Sequence, residues 1–246
     1  MIQDLHSHTY YSFCGADKPE AVVEAAIAGG IQLFGICDHN YGIGFGRVDL
    51  FRSAAEDFAP TYGRTLVQYF DHINLIKEKY ADKIKLLRGI EIATLKSGRH
   101  ALPPDVDASF FDYCLIENLD WEETYTEGDL FTFAKRCKCP AGVAHTDLFA
   151  HAKKLGIEPY DYFSRMAEEN IFWEMNVSYD SIHKYREHAY MLHFFEDEEQ
   201  QEIVRRSGVR LSVGFDGHRC KEYRADRVAD YCRKIEEMGI KMAFED

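Results

Sequence analysis

Two short motifs far apart in the chain each carry a pair of potential metal ligands at a spacing of two: His6-Ser7-His8 and Asp216-Gly217-His218. In an extended strand, residues i and i+2 face the same side, so each pair can present both side chains to one cation. Between them lie Asp38-His39, His145 after Val143-Ala144, and Glu91 inside Gly89-Ile90-Glu91-Ile92. A carboxylate between isoleucines is costly to bury unless a cation or a hydrogen-bond donor compensates. It can also bridge two ions, one oxygen to each. Taken singly, each residue has a bland reading: a solvated or hydrogen-bonded histidine, or a glutamate on the wet face of a strand. Taken together, they point to a shared metal site, provided that the fold gathers them.

The surrounding pattern predicts how it would. Short apolar runs predict strands at Ile2–Leu5, Gln32–Cys37, Ile84–Ile92, Tyr113–Ile116, Gly142–Ala144, Ile171–Met175 and Val209–Gly214, with a last short strand at Ile240–Phe244. Amphipathic stretches predict helices at Lys18–Ala28, Thr61–Tyr80, Asp129–Arg136, Tyr160–Glu169 and Ala225–Met238, and a mostly helical polar stretch at Ile182–Ser207. Tyr41–Arg47 reads as a loop. Roughly seven β–α units imply a parallel sheet closed into a barrel. The whole chain, 1–246, reads as a single α/β domain. In a parallel barrel all strand C-termini open on one face. His6, His8, Asp38, His39, Glu91, His145, Glu174, Asn176, Asp216 and His218 all fall at strand ends and therefore converge.

Bulk properties narrow the partners. The formal net charge is −13, with 29 Lys+Arg against 42 Asp+Glu. Such a protein repels phosphate backbones at long range, which makes nucleic acid an unfavourable partner. No apolar run approaches the ~18 residues of a membrane helix, and no secretory signal is evident. With seven cysteines at scattered spacings, the expectation is a reducing cytoplasm. Cys137-Lys138-Cys139 is a lone CxC pair, read as ordinary loop and helix-end cysteines. His72, His100, His151, His183, His188 and His193 are expected to be mostly solvated.

The motifs resemble those of the PHP (polymerase and histidinol phosphatase) family. Asp4-Leu5-His6-Ser7-His8-Thr9, Gly35-Ile36-Cys37-Asp38-His39-Asn40, Gly89-Ile90-Glu91-Ile92, Ala144-His145-Thr146-Asp147 and Val213-Gly214-Phe215-Asp216-Gly217-His218-Arg219 follow the family's order over nearly the whole chain. Glu174-Met175-Asn176-Val177-Ser178 is similar to a stretch of the histidinol-phosphatase branch. The resemblance implies a distorted seven-stranded (β/α)7 TIM-like barrel holding two or three divalent transition metal ions: zinc, manganese or iron. By motif, His6, His8, Glu91 and Asp216 would hold one ion. His39 and His218 would hold a second, with Cys14 as the further ligand and Asp17 its rival. Glu91 would bridge to a third, held also by His145. Relatives place a histidine after the fourth strand. With one inserted residue Asp120 takes its place, and without the insertion Leu119 does.

The chemistry implied is hydrolysis of a small phosphate monoester. Cations neutralise the phosphate and activate water. Asp216, Glu91 and His218 stand at the reaction centre, with Asp216 orienting or deprotonating the water. Arg219 is the expected phosphate contact, through a bidentate guanidinium, with Arg47, Lys96 and Arg99 as further candidates. L-Histidinol phosphate is the first specific substrate, although the charged aromatic segment between Ser178 and Val209 departs from that branch. An amidohydrolase-type metallohydrolase also begins with HxH. It usually adds a bridging lysine and ends in a lone aspartate, whereas this chain offers Glu91 and Asp-x-His. A PHP-type nuclease or phosphodiesterase, and a regulatory barrel without catalysis, are further alternatives. The acidity argues against the nuclease and the near-complete ligand set against the regulatory barrel.

Overall fold

The computed structural model describes residues 1–43, 52–95, 108–121, 124, 129–178 and 186–245, with the side chains of 52–65 outside that description. Among these residues seven parallel strands form one sheet in chain order. They are β1 (Gln3–Asp4), β2 (Leu33–His39), β3 (Lys85–Ala93), β4 (Tyr113–Glu117), β5 (Ala141–Val143), β6 (Ile171–Asn176) and β7 (Leu211–Gly214). The helices between them are α1 (Pro19–Ala28), α2 (Arg52–Lys79), α3 (Leu130–Cys137), α4 (Leu148–Lys154), α5 (Pro159–Glu168), α6 (Ala189–Glu196), α7 (Glu198–Ser207) and α8 (Ala225–Glu237).

The sheet closes nearly completely. Leu5 N donates to Val213 O at 2.9 Å, Asp216 N to His6 O at 2.8 Å and His8 N to Gly217 O at 2.9 Å, with a parallel bridge between Ser7 and Gly217. The buried Asp4 carboxylate pins this seam, accepting from Phe215 N at 3.0 Å and Tyr223 Oη at 2.8 Å. Burial pushes its pKa up to about 6 against those hydrogen bonds.

Period-two alternation sorts the side chains. Leu33, Cys37, Leu87, Tyr113, Leu115 and Phe172 fill the barrel interior, while Phe34, Ile36, Ile90, Ile116, Trp173 and Val213 pack outward against the helices. The Tyr113 ring crosses the interior where Gly35 and Gly89 leave room; a Cβ on Gly89 would lie 2.3 Å from its Cζ.

The main strands and helices expected from the sequence are present. Three features differ. The segment Ile240–Phe244 makes one bridge, Leu211 to Met242, instead of a strand. Phe244 turns at φ 59° and its ring meets Tyr113 and Phe172, so the segment plugs the N-terminal end of the barrel. Helix α4, unforeseen, is capped by the Asp147 side chain accepting from Ala150 N at 2.9 Å. It buries His151, which had been expected in a solvated loop. The polar stretch after residue 185 is two helices, split where Asp197 caps α7.

Candidate metal centre

Alternation along each strand decides which side chains enter the mouth of the barrel. In β3, Leu87 and Gly89 face inward, so Glu91 does too; in β2, Leu33, Gly35 and Cys37 do the same for His39. β1 continues into His6 and His8, and β7 into Asp216 and His218, across the closing seam. His145 follows β5 with φ 24° and Asp216 has φ 55°. Both are strained values for residues with a Cβ, as is common where a site fixes a side chain against local preference.

Glu91 is the hub, 1% exposed. Its Oε1 lies 3.1 Å from His145 Nε2. Its Oε2 lies 3.3 Å from His6 Nε2, 3.4 Å from His8 Nε2 and 3.1 Å from His39 Nδ1. One oxygen thus faces His145 alone and the other faces three histidines. Asp216 Oδ1 lies 3.0 Å from His8 Nε2, 3.6 Å from His6 Nε2 and 3.5 Å from His218 Nε2. The His8 ring stacks between His39, at 4.6 Å, and His218, at 4.8 Å. Four triads have ligand atoms all within 4.8 Å of one another: His6, His8 and Asp216; His8, His39 and Glu91; His8, Cys14 and His218; and Glu91, Glu117 and His145.

The outer contacts orient these rings. His6 Nδ1 lies 2.7 Å from Glu174 Oε1, which leaves Nε2 for the centre. The Ser12 hydroxyl donates to Asp38 Oδ1 at 2.7 Å, so it can accept from His8 Nδ1 at 3.3 Å, and His8 Nε2 is then the lone-pair nitrogen. Asp38 also binds the amide and hydroxyl of Thr9, both at 2.7 Å, and so ties the loop after β1 to β2. Gly214 makes room for Glu174. A Cβ there would sit 2.1 Å from Glu174 Oε1 and 2.6 Å from His6 Cβ.

The electrostatics ask for positive charge. Burial opposes ionisation of Glu91, yet His6 and His39 hold its pKa well below the usual value. Asp216 is held low in the same way, against burial, by His6 and His218. Burial alone would depress His145, but Glu91 raises it to about 9. His8, by contrast, is pushed down to about 3 by burial, which suits a neutral ligand nitrogen. The upward shifts of His6, His39 and His145 beside buried carboxylates thus favour positive charge at the centre, as a bound cation would supply. His39 Nδ1 and Glu91 Oε2 are both buried without a hydrogen-bond partner although they are close. Two orphaned ligand atoms aimed at one point, amid mixed imidazole and carboxylate donors, fit divalent transition metals.

The structure brings His6, His8, Cys14, His39, Glu91, His145, Asp216 and His218 together. Burial pushes the Cys14 thiol up, but hydrogen bonds with His218 and His39 outweigh it and hold the pKa below normal. Asp17 does not join them, its carboxylate accepting from Cys220 N at 2.7 Å. Asp120 is not brought to the centre either. It is exposed, past the end of β4, and its carbonyl accepts from Lys154 Nζ at 3.3 Å. Glu117 stands there instead, with Oε1 3.4 Å from His39 Nδ1. The alternation Tyr113, Leu115, Glu117 is the signal that could have found it. His188, expected to be solvated, stacks on His145 at 5.9 Å, and burial, then His145, depresses its pKa to about 4. Arg219 follows His218 with its side chain 53% exposed and Nη1 3.9 Å from Glu222. Arg47, Lys96 and Arg99 lie outside the described residues, as do His100 and His183.

A family model for the PHP domain matches residues 4–242. Among solved structures, the fold is similar to histidinol phosphate phosphatase from Lactococcus lactis subsp. lactis Il1403, complexed with zinc, L-histidinol and phosphate. The TM-score is 0.56 at 17% identity, over 98% of this chain and 94% of that one. A protein from Listeria monocytogenes, provisionally assigned as a histidinol phosphatase, gives a TM-score of 0.46 at 14% identity, over 89% of this chain and 96% of that one. A chain in the structure of archaeal ribonuclease P with mature tRNA gives 0.48 at 14%, over 96% and 87%. The curated proteins contain no match.

Proposed function

The chain belongs to the PHP-domain family, and from that premise we propose that it is a metal-dependent phosphatase hydrolysing a small phosphate monoester. The observation that carries this reading is Glu91, buried, with one carboxylate oxygen facing His145 and the other facing His6, His8 and His39. His6, His8, Asp216 and Glu91 would hold one ion. His39, His218 and Cys14 would hold a second. His145, Glu117 and Glu91 would hold a third. Bound divalent cations would supply charge neutralisation for the phosphate dianion and lower the pKa of water.

The side chains divide the remaining work. Asp216, strongly ionised beside His8 and His218, is a weak base but a good acceptor. Its part is to hold a water by one hydrogen and so aim the oxygen at phosphorus. Glu174 and Ser12 keep His6 and His8 in the tautomers the site needs. Arg219 is the phosphate contact on the residue after His218. Phe13, 65% exposed and stacked on His39 at 5.7 Å, offers an apolar rim to the leaving alcohol.

L-Histidinol phosphate is the first substrate to test, since the Lactococcus structure holds L-histidinol and phosphate. The net charge of −13 disfavours a polymeric substrate. No helix among the described residues is long and apolar enough to cross a membrane, and all seven cysteines are free thiols. The cytoplasm is the compartment that suits them. The test is turnover of a chromogenic aryl phosphate and of L-histidinol phosphate with added zinc, manganese or iron. Folded protein inactive with every metal on both substrates would overturn the proposal.

A further inference from the structure

A second cluster of reactive side chains sits at the other end of the barrel. Cys114 is the second residue of β4, pairs with Ala141 in β5, and its amide donates to Pro140 O at 2.9 Å. Lys138, at φ 58°, turns the chain after α3, so that Cys137 and Cys139 flank the turn beside the start of β5. The Cys114 side chain points outward, into the layer between sheet and helices, with the thiols of both Cys137 and Cys139 as its interacting neighbours. Cys114 and Cys137 are buried; Cys139 is half-buried. A surface cavity of 550 Å³, lined by Lys135, Lys138, Cys139 and Asn170 among others, reaches Cys139. Three residues of β4, roughly 10 Å at ~3.3 Å per residue, separate Cys114 from Glu117 at the metal centre.

We infer that this cluster is an oxidation site, in which Cys139 meets a peroxide from the cavity and Cys114 closes a disulfide with it. The Cys139 thiol gives up its proton, its sulfur attacks one oxygen of hydrogen peroxide, the O–O bond breaks, and the departing hydroxide takes up the proton the thiol released, leaving as water. Cys139 is then a sulfenic acid. The Cys114 sulfur attacks the Cys139 sulfur, the S–O bond breaks, and the Cys114 proton goes to the departing hydroxide. One peroxide is reduced to two waters and two thiols are oxidised. Cys137 has the contact to Cys114 but no route to the oxidant, which makes Cys139 the peroxide-reactive partner. The reading is independent of the phosphatase assignment, because none of the three thiols takes part in the metal centre.

The experiment treats the metal-loaded protein with one equivalent of hydrogen peroxide, blocks the remaining thiols, and maps the peptides by mass spectrometry. The expected result is loss of two thiols per peroxide, a Cys114–Cys139 linked peptide, and reversal by dithiothreitol. Cys139→Ser should slow the oxidation of Cys114 at least tenfold with phosphatase activity unchanged. Cys114→Ala should let Cys139 run on to the sulfinic acid. A Cys114–Cys137 disulfide with Cys139 still reduced would overturn the inference. So would oxidation of Cys114 at the wild-type rate in Cys139→Ser, or sulfinic acid at Cys139 in the wild type with Cys114 still free.

Discussion

Glu91 is the residue on which the site turns, because one of its oxygens faces His145 and the other faces His6, His8 and His39. Glu91→Gln keeps the shape and removes the charge. It is expected to release at least one ion and to lower turnover by more than the ~100-fold that loss of an outer partner costs. Elemental analysis beside the phosphatase assay checks both, and unchanged metal content would refute the bridge. Glu117 and Asp120 form a matched pair. Glu117→Gln should reduce occupancy of the ion shared with His145, while Asp120→Asn should leave metal and activity at wild-type levels. Glu174→Gln tests orientation alone: weaker metal affinity by about tenfold, with the apparent affinity for metal moving more than the saturated rate. The paired motifs and Glu91 were legible in the sequence because each sits in a strand-end pattern. Glu117 is hidden at the level of motifs, where an insertion points to Asp120, while the alternation from Tyr113 faces Glu117 inward. His188 was illegible. It sits at the N-terminus of α6 over His145, a tertiary contact that no local pattern encodes.

At the scale of the elements, β7 and β6 are held at a spacing that only glycine allows. Gly214→Ala would drive a methyl group into Glu174 and His6. The expected cost is about 1–3 kcal/mol, seen as a lowered melting temperature with a loss of metal affinity. The start of β4 is anchored differently. Asp112 accepts from Arg88 N at 2.8 Å, pairs with Arg88 Nη2 at 3.2 Å and with Lys77 Nζ at 3.3 Å. Burial opposes its ionisation, but the Arg88 and Lys77 contacts hold its pKa below the ordinary value. A carboxylate depressed in the folded state stabilises above its unfolded pKa of about 4 and loses that contribution as pH falls through the folded value. Asp112→Asn should therefore cost about 1 kcal/mol at neutral pH, discounted for partial exposure, and the gap should close below roughly pH 4 in denaturant titrations. Most strands were legible as short apolar runs. Helix α4 was not, since its seven residues are too few for a clear period. The segment Ile240–Phe244 has strand-like composition, but the neighbouring barrel end takes its side chains as a plug.

For the molecule as a whole, the proposed metals would be linked to the closure of the barrel. The first and second proposed ion sites would draw ligands from both sides of the β1–β7 seam, so ions bound there would oppose its opening. At a free metal concentration 100 times the dissociation constant, one site adds about 2.7 kcal/mol. That corresponds to roughly 5–10 °C in melting temperature at this size. The chelated protein should melt lower by that amount and recover on adding zinc or manganese. Calorimetry with an unchanged transition would show that the ions do not span the seam.

The same seam sets a schedule for the newborn chain. His6 and His8 leave the ribosome well before their partners across the seam, and 207 residues separate His8 from Asp216. At ~5–20 residues per second that interval is roughly 10–40 s. Throughout it the two histidines lack Asp216 and the strand that positions it, although Glu91, which also faces them, is made sooner. A cation met early would find an incomplete ligand set and exchange freely. Selection of an ion would thus be deferred to the finished barrel.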